Sequence, residues 1–260
     1  MICSSSPHRS GAEIFCAAKA SGRVRLGLTD RRAGVMLKLM TQCQDYAEGG
    51  TPMPKGSEAL TQARREEIIN ACAQLYETMV FKDVTIKEIG KITSFTRTSI
   101  YNYFQTREEI FLALIGREFV LWSDALEQAL AEEAETLDRA RLAEILADTL
   151  SERTLLLKIL SMNMFEIEEN SSVEQLTAFK RVFRRSIEAL DALLVQAAPE
   201  LDAAGRRAFI YSFFPFMYGI YPYTAVTDKQ RAAMDAIGFP YETYSARALI
   251  LQSARQLLGV

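Results

Sequence analysis

The sequence has little of what catalytic and metal-binding sites are built from. Its 260 residues include one histidine, His8, and four cysteines without C-x-x-C spacing. A zinc site needs several nitrogen or sulfur ligands at close spacing, so the sequence predicts no metal site. It also has neither a G-x-G-x-x-G nor a G-x-x-x-x-G-K stretch, the common phosphate-binding loops of nucleotide enzymes. We therefore expect a protein that is not an enzyme and that holds no cofactor.

Helix-breaking residues are also scarce, with 7 prolines and 13 glycines, and the alternation typical of strands is nearly absent. Apolar residues make up 49% of the chain and charged residues 24%, as in globular proteins. The composition predicts an all-α fold. Cysteines without a disulfide pattern fit a reducing, cytoplasmic location.

Positive charge is scarce in the second half of the chain. Residues 108–260 carry 15 Lys and Arg against 23 Asp and Glu, whereas residues 1–54 carry 7 against 4 and residues 55–107 carry 8 against 6. A polyanion is attracted by a basic region and repelled by an acidic one. If the protein binds a nucleic acid, we expect the N-terminal part to contact it.

Residues 85–107 have the pattern of two short helices joined by a tight turn. The sequence T-I-K-E beginning at Thr85 fits a capping box at the start of the first helix. Thr96 is a good N-cap for a second helix, 96–104, with Ile100 and Phe104 on its inner side. This arrangement is typical of a helix-turn-helix, which presents its second helix to a DNA major groove.

The same stretch resembles the TetR-type (TetR/AcrR) transcriptional regulators over about residues 64–111. The resemblance lies in Ile89, in the run F-T-R-T-S-I-Y-N-Y-F that ends at Phe104, and in R-E-E-I from Arg107. The family has a Y-x-x-F block followed by a basic residue and Glu, and here Arg107 replaces the usual Lys.

The resemblance implies a homodimeric DNA-binding regulator, in most cases a repressor. Two recognition helices would enter successive major grooves of a pseudo-palindromic operator. A small apolar or amphipathic molecule in the C-terminal domain would change the spacing of those helices. We therefore expect a helix-turn-helix domain at 55–107 and a helical ligand-binding and dimerisation domain at 108–260.

Residues 1–54 show no sustained apolar period, and two interpretations of them are open. They form a disordered basic arm that adds non-specific affinity for phosphate, or they precede the true start of the protein at Met53 or Met36. We favour the second interpretation, because M-P-K-G-S from Met53 is similar to the short polar lead before a TetR-type first helix.

The polar residues of the helix-turn-helix are the candidate DNA contacts. Donors, acceptors and methyl groups suited to base edges are crowded into two turns of its second helix. We expect Arg97, Thr98, Ser99 and Asn102 to contact bases. The residues expected to contact mainly phosphates are Lys87, Tyr101, Tyr103 and Arg107, and Thr85 is a further candidate DNA contact.

The C-terminal half is rich in aromatic and methionine residues, which either form plain core or line an apolar ligand pocket. After a long helix from Glu108 to about Glu133, we place helices near 138–151, 153–168, 172–198, 202–221, 228–237 and 241–258. The candidate ligand-binding residues are Trp122, Met162, Met164, Phe165, Phe183, Phe213, Met217 and Tyr218.

The helices at 202–221 and 241–258 are the candidate dimer interface. They could pair with their symmetry mates in a four-helix bundle, as the resemblance implies. The alternative is that both are internal and the protein is a monomer. The residues expected at the interface are Phe209, Phe216, Tyr244, Ala248, Leu251 and Arg255.

Residues 208–227 contain no charged side chain, so a membrane helix has to be considered. Pro215, Gly219, Pro222 and several tyrosines count against it, and we expect no membrane partner. The main alternative function is a helical interaction or membrane-surface protein without specific DNA binding.

Overall fold

The computed structural model describes residues 55–133 and 135–260, and in those residues every regular element is a helix. The predicted all-α class is therefore confirmed. The predictions about residues 1–54, including the alternative start at Met53, lie outside the described residues.

The described chain begins with a three-helix unit that contains the helix-turn-helix. A 3-10 turn, Phe81–Asp83, lies between its first and second helices. The helices are α1 (Lys55–Thr78), α2 (Ile86–Ile92) and α3 (Arg97–Ile100).

The C-terminal domain is a bundle whose longest members are α4 and α7, and these two pack against each other. Its helices are α4 (Arg107–Glu133), α5 (Arg139–Ser151), α6 (Thr154–Glu169), α7 (Val173–Ala197), α8 (Ala203–Gly219), α9 (Tyr221–Thr224), α10 (Asp228–Ala236) and α11 (Ala246–Leu258).

Side-chain caps explain where most of these helices begin. In each case an oxygen accepts a hydrogen bond from the backbone N–H three residues later, which satisfies a donor that the first turn leaves free. The last helix begins at Ala246 rather than at 241 because Ser245 is its cap. The other capping residues are Thr85, Thr96, Asp138, Ser172, Asp202 and Thr227.

The predicted helix 202–221 is interrupted in the structure. It tolerates Pro215 in its interior but ends at Gly219. A separate short helix follows, with Pro222 in its first turn. Proline lacks a backbone N–H and is best accommodated there. Among the described residues, no helix combines the length and the apolar composition needed to cross a membrane.

The three-helix unit has its own apolar core. Cys72, Ile89, Ile100 and Phe104 are fully buried in it. Phe81 closes the core on one side and lies 4.6 Å from the ring of Phe111 on α4, measured between ring centres. The same α4 continues into the C-terminal bundle, so the two parts share one rigid helix.

Candidate functional site

The segment expected to read DNA, residues 97–104, begins as a single helical turn, and its backbone hydrogen bonds then continue. Tyr103 N–H donates to Ile100 O at 2.9 Å and Phe104 N–H donates to the same oxygen at 3.1 Å. Regular α-helix is thus shorter than the predicted 96–104, but the turns reach Phe104. We call residues 97–104 the recognition segment.

The outer face of the recognition segment is polar and exposed. Arg97, Thr98, Tyr101 and Asn102 are exposed, while Ile100 is fully buried beneath them. The Arg97 guanidinium lies 6.0 Å from the centre of the Tyr101 ring, and its Nη2 donates to the Tyr101 hydroxyl at 3.4 Å. These side chains therefore form one surface with both donors and acceptors. Such groups can bind base edges and phosphates.

Three predicted DNA contacts already have partners within the protein. Thr85 Oγ1 accepts from Glu88 N–H at 3.2 Å, which is the expected half of the capping box, whereas the Glu88 carboxylate binds Lys91. The hydroxyls of Ser99 and Thr96 lie 3.0 Å apart. The Tyr103 hydroxyl accepts from Arg64 at 3.0 Å. Lys87, in contrast, is exposed on α2.

Arg107, a predicted phosphate contact, has several partners within the protein. Its Nη1 donates to the carbonyls of Phe81 and Lys82 at 3.2 and 3.3 Å, and its guanidinium lies 4.3 Å from the centre of the Phe81 ring. It also pairs with Glu108 at 2.6 Å. The side chain therefore holds the 3-10 turn against the start of α4, because these partners occupy the guanidinium on several sides.

Two arginines of α1 support the recognition segment from behind. Arg64 reaches the Tyr103 hydroxyl, as noted, and Arg65 Nη1 donates to the Tyr103 carbonyl at 2.9 Å. The Arg65 guanidinium also lies 4.2 Å from the centre of the Phe104 ring. These contacts could not be foreseen from the sequence, because the partners are 38 and 39 residues away.

The α6–α7 loop is joined to the end of the helix-turn-helix. Thr106 Oγ1 donates to the Asn170 carbonyl at 2.9 Å, and Ser172 N–H donates to Glu109 Oε1 at 3.1 Å. Lys158 of α6 makes a further link by donating to the Tyr76 carbonyl of α1 at 2.6 Å. A shift of α6 or of its loop would therefore act directly on the DNA-binding part.

Most of the predicted ligand-binding residues are brought together in the buried core of the C-terminal domain. Trp122, Phe213 and Met217 are fully buried, and Phe183 is nearly so. The ring centres of Trp122 and Phe183 each lie within 6.0 Å of that of Phe214. The Trp122 Nε1–H donates to Thr149 Oγ1 at 3.2 Å.

The predicted ligand-binding residues of α6 differ in their burial. Met164 is buried, whereas Phe165 is 46% exposed and so lies apart from the buried aromatic core. The reason is helical period, since adjacent residues of a helix point about 100° apart and only one can face the core. The side chain of Met162 lies outside the described residues. Asn163, between them, leaves helical geometry with φ −146° and ψ 20° and so kinks α6.

A partly buried ion pair at the edge of this core was not predicted from the sequence. Glu168 is 7% exposed and accepts from Lys180 at 2.7 Å. In the segment 166–169 only Glu166 and Glu169 are exposed. Burial raises the pKa of the Tyr218 hydroxyl, and the nearby Glu168 carboxylate raises it further.

The residues expected at a dimer interface do not share one surface. Phe209 is 4% exposed and stacks on Phe213 of its own helix at 5.6 Å, so it is a core residue and not an interface residue. Arg255 forms an ion pair with Glu144 of α5 at 2.8 Å. Phe216 and Leu251 are partly buried against the core. Tyr244 and Ala248 are exposed.

The described residues contain no group of three or more His, Cys, Asp or Glu arranged to hold a metal ion. Cys72 is a free, fully buried thiol whose pKa is raised by burial, as expected of a small core residue.

Comparison with known proteins agrees with this geometry. Residues 116–242 match the family "Tetracyclin repressor-like, C-terminal domain". They follow a helix-turn-helix with the TetR-type motif. The chain belongs to the TetR family. As a TetR-family protein it is a transcription regulator and not an enzyme.

Several solved structures of regulators align with this chain at low identity. The fatty acid degradation regulator FadR from Bacillus halodurans is 19% identical, with 75% of this chain and 97% of that chain covered and a TM-score of 0.49. A TetR regulator from Rhodococcus sp. RHA1 is 17% identical, with 76% and 97% covered and a TM-score of 0.48. FadR from Thermus thermophilus, solved with lauroyl-CoA, is 17% identical, with 75% and 93% covered and a TM-score of 0.47. No curated protein gives a significant sequence match.

Proposed function

We propose that this TetR-family protein is a cytoplasmic, homodimeric repressor that binds a pseudo-palindromic operator through residues 97–104 and responds to a small molecule. The proposal rests on the difference between the exposed polar side and the buried apolar side of the recognition segment. Its outer side is polar and exposed at Arg97, Thr98, Tyr101 and Asn102, while Ile100 and Phe104 anchor its inner side. A rigidly anchored polar helix face is what direct readout of a major groove requires.

In vitro selection from a random pool of duplex DNA tests operator binding and symmetry together. We expect an enriched palindrome whose half-sites are one helical turn apart or a multiple of it, because each subunit supplies one recognition segment. Enrichment of a single, non-repeated half-site would contradict the homodimer. No enrichment, with only salt-dependent binding to any sequence, would favour the helical interaction protein without specific DNA binding.

The outward faces of α8 and α11 are the candidate dimer surface. On α8 this face carries Ala204, Ala208, Tyr211 and Pro215, all exposed and separated by three or four positions. On α11 the exposed Ala248 occupies the corresponding outer position. Small and apolar side chains allow two helices to approach closely, so we infer that these faces pair about a two-fold axis.

For the ligand we propose a site in the aromatic core around Trp122, Phe183, Phe213 and Met217. Met and aromatic side chains can repack around an apolar molecule, and Tyr218 beside the Glu168–Lys180 pair offers polar groups at the edge. The core is bounded by α6, whose kink at Asn163 is a place where the helix can change its direction.

The sole tryptophan makes this ligand proposal directly measurable. Trp122 is buried in the proposed site and donates to Thr149, so a bound molecule should change its emission. A library of small apolar and amphipathic compounds can be screened by that signal. A true effector should also weaken operator binding by ~1–3 kcal/mol, the usual size of such coupling. Compounds that weaken operator binding without altering Trp122 emission would place the effector elsewhere.

A further inference from the structure

A cleft of about 450 Å³ lies between α1, α4 and α7, outside the aromatic core. Its floor is apolar and includes Ile69, Leu112, Val120, Phe179 and Val182. None of these five residues belongs to the predicted ligand set. The volume is within the range of ~300–1,000 Å³ typical of small-molecule sites.

The rim of the cleft is polar and carries two arginines, Arg65 and Arg117, and one carboxylate, Glu66. Arg117 already has carboxylates nearby, with Glu66 at 3.7 Å and Glu118 at 3.9 Å. Arg65 differs from it. Its guanidinium donates to the neutral oxygens of Tyr103 and of Gln175, the latter at 3.2 Å, and makes no ion pair with any carboxylate of the described residues.

Arg65 is also partly removed from water, which increases the need for a negative partner. Burial lowers the pKa of this guanidinium, although Glu109, Glu66 and Glu174 act on it through space in the opposite direction. A half-buried cation without a paired anion is stabilised by any carboxylate that reaches it. The guanidinium has five N–H donors, so it can bind an anion and keep its present contacts.

From the apolar floor and the unpaired Arg65 at the rim, we infer that the cleft binds an anionic amphiphile. The ligand class is a small molecule with an apolar body and one carboxylate. Its body lies on the floor between α4 and α7, and its carboxylate binds Arg65. The site adjoins the aromatic core proposed above, since the ring centres of Phe179 and Phe183 lie 6.0 Å apart, but it has a different lining and does not depend on operator binding.

The position of Arg65 would connect this ligand to the DNA-binding part. The same guanidinium contacts the Tyr103 carbonyl at the end of the recognition segment and Gln175 at the start of α7. A carboxylate bound to Arg65 therefore changes the strength of its hydrogen bonds to Tyr103 and Gln175, which already connect the DNA-binding part with the C-terminal domain. The cleft is thus a second place from which a small molecule can act on the recognition segment.

Isothermal titration calorimetry with the full chain and two matched probes tests the inference. Decanoate and decylammonium, both below their micelle concentrations, have the same tail and opposite charges. We expect decanoate to bind at least about ten-fold more tightly than decylammonium, because one good charge-assisted contact is enough for that ratio. Equal affinities, or no binding of decanoate, would overturn the proposal without any variant.

Two variants then locate the site. Ala178 is exposed and lines the cleft, so A178F should fill it and reduce decanoate affinity by about ten-fold or more. R65Q should do the same by removing the charge. The exposed Ala140 of α5 is not among the residues that line this cleft, and A140F is the matched control that should bind like the wild type.

Undiminished decanoate binding by a folded A178F protein would place the amphiphile elsewhere and overturn the cleft assignment. Circular dichroism and thermal melting establish that each variant is folded. The titrations contain no DNA, so their failure would leave the proposed operator binding untouched. Conversely, a failed operator selection would leave this binding result standing.

Discussion

Glu109 accepts a hydrogen bond from the backbone N–H of Ser172, 63 residues further along the chain, at 3.1 Å. Its other carboxylate oxygen accepts from the backbone N–H of Gln105 at 2.7 Å. The side chain is 2% exposed. One buried carboxylate therefore joins the end of the helix-turn-helix to the first residues of α7, across the boundary between the two parts of the protein.

We expect E109Q to destabilise the protein. A neutral amide has only one oxygen for these two N–H donors, so one of them loses its partner in a buried place. Leaving a buried donor unsatisfied costs about 1–3 kcal/mol. Urea unfolding followed by circular dichroism measures the difference. The exposed Glu132 on the same helix supplies the control E132Q, which should change the free energy of unfolding by less than about 0.5 kcal/mol.

The stabilising effect of Glu109 should also depend on pH. Burial alone would raise the pKa of Glu109, but hydrogen bonds from Ser172, Gln105 and Thr106 outweigh burial and hold the pKa below its usual range. A lowered folded-state pKa means that stabilisation is fully present above the unfolded value of about 4.3 and is lost as the pH falls through the lower, folded value. The gap between wild type and E109Q should therefore narrow below about pH 4.3. A gap that stays constant down to acid unfolding would contradict this assignment.

Replacing Arg97 should change sequence preference. The side chain is exposed on the recognition segment, where a bidentate contact to guanine is the commonest specific interaction. We expect R97A to lose ~1–3 kcal/mol on the selected operator and to lose less on operators altered at one position. Binding to a panel of operators measures this, with R231A on the exposed side of α10 as a control that makes the same charge change away from the proposed dimer surface. A uniform loss across the panel would instead indicate a phosphate contact.

Arg107 should matter for stability more than for DNA binding. Its guanidinium donates hydrogen bonds to the carbonyls of Phe81 and Lys82 and makes a cation–π contact with the Phe81 ring. We expect R107A to reduce the free energy of unfolding by about 1–3 kcal/mol through the lost hydrogen bonds and cation–π contact. R107K keeps the positive charge but lacks the planar guanidinium with its several N–H donors. It should therefore recover only part of the lost free energy of unfolding. Wild-type stability with weakened binding to all DNA sequences would restore the phosphate role.

A charged residue on the outer face of α11 should dissociate the two subunits of the proposed dimer. Ala248 is exposed in the single chain, so A248E should not disturb the fold of one subunit. In a dimer the new carboxylate would be buried close to its symmetry mate, at a cost of several kcal/mol. We expect A248E to sediment as a monomer of half the wild-type mass and to lose tight operator binding. The matched control is A232E, on the exposed face of α10. A wild type that itself sediments at 29.2 kDa would refute the dimer.

Local sequence signals predicted the helices and the DNA-binding motif. Thr85, Thr96, Ser172, Asp202 and Thr227 are capping residues in the structure, because N-capping depends only on a side-chain oxygen and an N–H three residues later. The inward direction of Ile100 and Phe104 likewise follows from helical period alone. These interactions join residues that are only a few positions apart, so they can be recognised from the sequence alone.

The roles of long polar side chains were decided only by the tertiary structure. Arg107 faces the carbonyls of the 3-10 turn, Arg65 faces Tyr103 and Gln175, and Glu168 is buried against Lys180. Each of these side chains has several rotatable bonds, and its partner is brought close by packing rather than by sequence spacing. By itself the sequence determined where helices begin and which faces are apolar. The packing of α1, α4, α6 and α7 decided which polar groups lie next to these charged side chains. A buried charge is costly unless it is hydrogen-bonded or paired, so its role depends on the neighbours that packing provides.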